Sequence, residues 1–215
     1  MGGRSGGVRG GGGGGRGGKI DFVIVDNGSI KNPESLKNIP DAKLYRETMA
    51  AISRFHSALG VREREIKLAD LDGAFGVHLT TLEGKSAGIF LDKQTFSQTA
   101  KEVAAQKQKL YDENWSTRTN KPVAHTVTHE LAHATWNSHL KGANQRAAGK
   151  EIRALYKQFR ADVNGNVIIP ELKDYGRYSR SNVNEWFAET VTKAVHGKAD
   201  RYTVGLKTII KKYNL

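Results

Sequence analysis

Four of the chain's seven histidines lie in one short stretch, "VAHTVTHELAHATWNSHL" (123–140). On a helix, residues four apart are neighbours on one face, with Cβ atoms about 6 Å apart. His125, His129 and His133 therefore form a stripe. One ion cannot take all three, because residues eight apart are separated by about 12 Å along the axis and zinc–nitrogen bonds are only about 2.0–2.1 Å. The site is either the 125/129 pair or the 129/133 pair. The residue after the first histidine separates them. Glu130 follows His129 and gives "HELAH", the HExxH arrangement in which two histidines bind zinc and the glutamate takes a proton from a zinc-bound water. Thr126, which follows His125, cannot serve as a base.

A catalytic zinc site needs three protein ligands and an open position for water. The chain has no cysteine, so the third ligand must be His, Asp or Glu. His139 is one candidate, since HExxH-xx-W-xx-H differs from the HExxHxxGxxH pattern only in Trp136. The glycine of that pattern lets the chain leave the helix sharply, and tryptophan resists such a turn. The other candidate is Glu185, in "YGRYSRSNVNEWFAETVTKAV" (175–195). Trp186, Phe187, Val191, Ala194 and Val195 form the apolar stripe of a predicted helix there. Packed beside the HExxH helix, it could offer Glu185 to the metal and Glu189, one turn on, to a ligand histidine from behind. On the residues alone both glutamates also read as solvated surface.

The elements that must position these residues follow from periodicity. Residues 1–18, "MGGRSGGVRGGGGGGRGG", hold 12 of the 24 glycines and read as a disordered Gly/Arg-rich tail, a flexible linker in preference to an RNA-binding RGG segment. Residues 19–40 read as a strand, "KIDFVIVD", followed by irregular chain. A helix is expected from Asp41 to Gly60, strands across 61–91, and helices over 95–114, 122–140, 146–162, 182–196 and 200–213. Within the 122–140 helix, Val123, Val127 and Leu131 form the face for the core, and Pro122 suits its first turn. A small sheet with helices makes residues 41–215 an α+β domain.

The net charge of +12 favours contact with a polyanion, and nucleic acid could meet the basic surface or the tail. No apolar run reaches the ~18 residues of a membrane span, and no secretory signal opens the chain. His56, His78 and His196 carry no motif.

"THELAHA" followed by "YSRSNVNEWFAE" resembles the zincin-like metallopeptidase domain of anthrax lethal factor. It is similar above all to relatives in phage head-associated (minor capsid) proteins and bacterial polymorphic toxins. The likeness covers roughly residues 73–196 and includes "SAGIFLDKQTF" and "ENWSTRTNKP". It implies Zn2+ held by His129, His133 and Glu185, with Glu189 behind the ligands. It implies Glu130 as the base and Tyr178 as the catalytic tyrosine, with Tyr175 as the fallback. It further implies a protein or peptide substrate paired against the strand at Ile89–Leu91, and a place in a virion or the bacterial cytoplasm. Ala132 stands where relatives commonly have glycine. Two other readings compete: a non-catalytic zincin-fold structural or packaging component of a phage particle, and a DNA-associated protease resembling Spartan-type enzymes, which would use His139.

Overall fold

The computed structural model describes residues 23–24, 30, 33–61, 64–71, 74–80, 86–138, 142–165 and 169–215. The tail 1–18 and His139 lie outside the described residues, as does all of the 19–26 strand except Val23–Ile24.

Strands β1 (Val23–Ile24), β2 (Glu34–Ser35), β3 (Ile66–Ala69), β4 (Gly76–Thr80) and β5 (Ser86–Asp92) form one sheet in the order β1-β4-β5-β3-β2. It is mixed: β1 runs parallel to β4 and β3 parallel to β5, while β2–β3 and β4–β5 are antiparallel. Residues 34–39, which read as irregular in the sequence, supply β2 and a 3-10 turn that buries Leu36 and Ile39 in the main core.

Seven α-helices surround the sheet among the described residues: α1 (Ala42–Leu59), α2 (Lys93–Phe96), α3 (Ala100–Asp112), α4 (Pro122–Ser138), α5 (Gly142–Asn164), α6 (Val183–His196) and α7 (Arg201–Tyr213). Their ends follow local chemistry. Asp41 caps α1 by accepting the Leu44 N–H at 2.6 Å, and Gly60 closes it at φ +69°, a left-handed conformation costly for other residues. The sequence predicts one helix over 95–114. The structure breaks it at Ser97–Thr99, because Thr99 and Glu102 form a reciprocal capping box that restarts the helix at Ala100.

The HExxH helix departs from the amphipathic form expected of it. Every residue of α4 from Val123 to Asn137 is buried, since α1, α3, α6 and the β4–β5 face all pack around it. Polar side chains on this helix must therefore find partners inside the protein.

Lys193 ties the far end of α6 to its neighbours. Only 1% exposed, its ammonium lies 2.8 Å from Asp200, 3.5 Å from Asp174 and 4.5 Å from the centre of the Tyr175 ring, and donates to the Glu171 carbonyl at 2.9 Å. No helix among the described residues is long and apolar enough to cross a membrane.

Candidate metal centre

Two helices assemble the centre. α4 contributes His129 and His133 one turn apart. The Asn182 side chain caps α6 by accepting the N–H groups of Asn184 (2.8 Å) and Glu185 (3.0 Å), which fixes Glu185 in the first turn, facing α4. His129 Nε2 and His133 Nε2 stand 3.0 Å apart, and the Glu185 carboxylate lies 3.1 Å from the first and 3.3 Å from the second. Glu185 is fully buried, yet neither of its oxygens has a hydrogen-bond partner. The two ring nitrogens are within hydrogen-bond geometry of each other, whereas the carboxylate meets both off the hydrogen-bond axis, so three ligand atoms crowd one point. Donors bound tetrahedrally at zinc distances sit about 3.3–3.5 Å apart, within a few tenths of an ångström of these separations. The residues fit a cation.

A second histidine–carboxylate group, His125, His129 and Glu189, lies just behind. Its oxygens are already engaged. Glu189 Oε1 lies 3.0 Å from His125 Nε2 and 3.1 Å from His129 Nδ1, and Oε2 accepts the Thr117 backbone N–H. His125 Nδ1 in turn meets the Tyr111 hydroxyl at 3.1 Å, and that hydroxyl meets Thr119 Oγ1 at 2.9 Å. The chain Thr119–Tyr111–His125–Glu189 thus ends on the Nδ1 of His129. The carboxylate there faces Nδ1 without an aligned hydrogen bond, and its charge favours the proton on that nitrogen, which would leave the Nε2 lone pair toward Glu185 and His133.

The charges agree with this division. Burial alone would lower the His129 pKa, but Glu185 and Glu189 outweigh it and hold it up at about 10. Burial would raise Glu185, but His133 and His129 beside it hold its carboxyl far below the usual range. Three buried carboxylates around the histidines call for positive charge, which protons supply in the bare site and a divalent cation would replace. His125 is different: burial and the Lys107 charge push it down to about 3, so it is a neutral hydrogen-bond donor to Glu189.

The centre opens onto a cleft lined by Phe75, Gly76, Lys107, Trp115, Glu130 and Tyr178, among others. A Cβ at Gly76 would stand 2.8 Å from Cγ of Glu130, so any larger residue there must displace that side chain. The half-buried Tyr178 ring stacks between Trp115 (centroids 5.6 Å) and His129 (5.8 Å). Tyr175, the fallback, is in the core, where it packs on Phe159 with its hydroxyl toward Asp200.

The structure therefore brings His129, His133, Glu185, Glu189, Glu130 and Tyr178 together. One expectation fails. The strand at Ile89–Leu91 cannot accept a substrate, because β5 is internal: Ile89 pairs with His78 on one side and Ile66 on the other. The strand that borders the cleft is β4. Sequence reasoning also missed Tyr111, Thr117 and Lys107 and set His125 aside; only the stripe spacing pointed toward His125. Comparison of the chain with protein-family models, curated proteins and solved structures returns no match.

Proposed function

We propose that the chain is a zinc metallopeptidase of zincin type, with His129, His133 and Glu185 as ligands. The observation that carries this reading is the pair of buried Glu185 oxygens that make no aligned hydrogen bond yet lie beside two facing histidine nitrogens. Zinc suits a site of two imidazoles and one carboxylate, and when bound it supplies Lewis acidity toward a water and a substrate carbonyl.

The chain's own residues do the rest. Glu130, 5% exposed on the cleft wall, takes the proton of the attacking water and returns it to the leaving amine. The Tyr178 hydroxyl donates to the carbonyl oxygen as negative charge develops there. Glu189 holds His129 in its binding tautomer. An extended peptide would lie in the cleft beside Gly76 of β4. A protein substrate, in a virion or in the bacterial cytoplasm, follows from the family resemblance.

The test is Glu130→Gln, assayed for zinc content and for cleavage of an unfolded protein. The expected variant keeps its zinc and loses cleavage by roughly 10²–10⁴-fold, the usual worth of a positioned base. Undiminished cleavage would remove Glu130 from the mechanism. A wild-type protein that binds zinc but cleaves nothing would leave a non-catalytic zincin fold.

A further inference from the structure

Two lysines are buried among the described residues, Lys107 and Lys193, and they are buried differently. Lys193 is saturated by two carboxylates, a carbonyl and an aromatic ring. Lys107, 8% exposed on α3, donates to one neutral partner, Ser116 Oγ at 3.2 Å, and among the described residues no carboxylate is paired with it. An ammonium has three donors, and a buried cation with so little compensation is costly. Burial shows in its acidity: it pushes Lys107 down to about 8, against the opposing charges of Glu189 and Glu130. Lys107 also lines the cleft with Glu130, His129 and Tyr178, and it is the only lysine or arginine on that wall among the described residues.

We propose that Lys107 is a substrate-binding residue that takes a carboxylate of the peptide lying over the metal centre. This rests on the metallopeptidase reading and specifies its substrate class: peptides with an acidic side chain, or a free C-terminal carboxylate, next to the scissile bond. The two sources share one chemistry, a charge-assisted hydrogen bond from the remaining ammonium donors. The contrast with Lys193 argues against a purely structural role, since a structural lysine in this same fold has every donor met.

The test uses the zinc-loaded full chain and short peptide hydroxamates, which anchor on a zinc ion and need no turnover. One pair carries Glu or Gln beside the hydroxamate, and a second pair ends in a free carboxylate or an amide. Dissociation constants come from calorimetry. At least one carboxylate member should bind about tenfold more tightly than its neutral partner, and which pair shows the difference identifies the source. In Lys107→Met, with zinc content and melting temperature checked, that ratio should fall to about one. Lys107→Arg should restore much of it. Hydroxamates that bind without any carboxylate preference, or a preference that survives Lys107→Met, overturn this inference alone. A protein that binds no hydroxamate overturns the zinc reading and this inference with it.

Discussion

Glu189 Oε1 lies 3.0 Å from Nε2 of His125, the stripe histidine that the HExxH frame leaves over. The same oxygen is 3.1 Å from Nδ1 of His129. His125 thereby stands behind the candidate ligands, engaged with Glu189. The arrangement separates the residues that could hold an ion from those behind them, and each set has its own measurable signature.

Metal content distinguishes the third-ligand candidates. Wild type should carry close to one zinc per chain by elemental analysis, and Glu185→Ala should lose it. His139→Ala should keep it, because α4 continues unbroken through Trp136, whose ring packs on Phe187. Zinc lost from the His139 variant and kept in the Glu185 variant would move the site to the histidine class.

The supporting shell should tune affinity without abolishing it. Glu189→Gln removes the charge behind His129, and His125→Phe removes the partner of Glu189. Each should weaken zinc binding by about 10–100-fold, read by competition with a chelator, while stoichiometry at saturating zinc stays at one. Unchanged affinity in both variants would leave the Tyr111–His125–Glu189 chain without a role at the metal.

Gly76→Ala tests the cleft wall. Its Cβ would meet Glu130 Cγ at 2.8 Å and Thr126 Cγ2 at 3.2 Å, so the base must shift while the ligands need not. The expected variant binds zinc normally and loses peptide cleavage by at least about tenfold, since small misplacements of reacting groups are costly. Loss of zinc instead would mean that the clash spreads into α4.

Acid should destabilise the fold from about pH 6.5 downward. His78 and His125 are each lowered to about 3 and His196 to about 4, burial being the largest cause in all three. An unfolded chain takes up these protons near pH 6.5, whereas the folded chain refuses them until pH 3–4. Their contribution is therefore complete above pH 6.5 and is lost as pH falls. In the zinc-free protein His129 acts oppositely. Raised to about 10, it contributes fully below pH 6.5 and loses that contribution as pH rises toward 10. Melting temperatures from pH 4 to 9, with and without zinc, should show the acid limb in both forms and the alkaline limb only in the zinc-free one. A flat profile below pH 6.5 would contradict neutral burial of the three histidines.

Much of the architecture was legible because it is local. The 3.6-residue period marked α1, α5, α6 and α7 to within a few residues, and alternation with turn residues marked β3, β4 and β5. The break between α2 and α3 was also written in the chain, as Thr99 and Glu102, but a continuous helical period across 95–114 masked it. β2 is two residues long, too short for any period, and exists only because β3 offers it an edge; of the strand expected over 19–26, only Val23–Ile24 lie among the described residues.

Within the site, the sequence by itself singled out the candidate ligand pair and the candidate base: i,i+4 spacing puts His129 beside His133, and adjacency puts Glu130 next to them. It left Glu185 and Glu189 open between ligand, support and solvated surface, and His125 without a task. Only the tertiary structure buried both carboxylates against histidines and gave His125 its partner, because such burial depends on how α6 lies along α4. The same packing closes α3 over the cleft, which makes Lys107 a buried cation on the wall it shares with the candidate base.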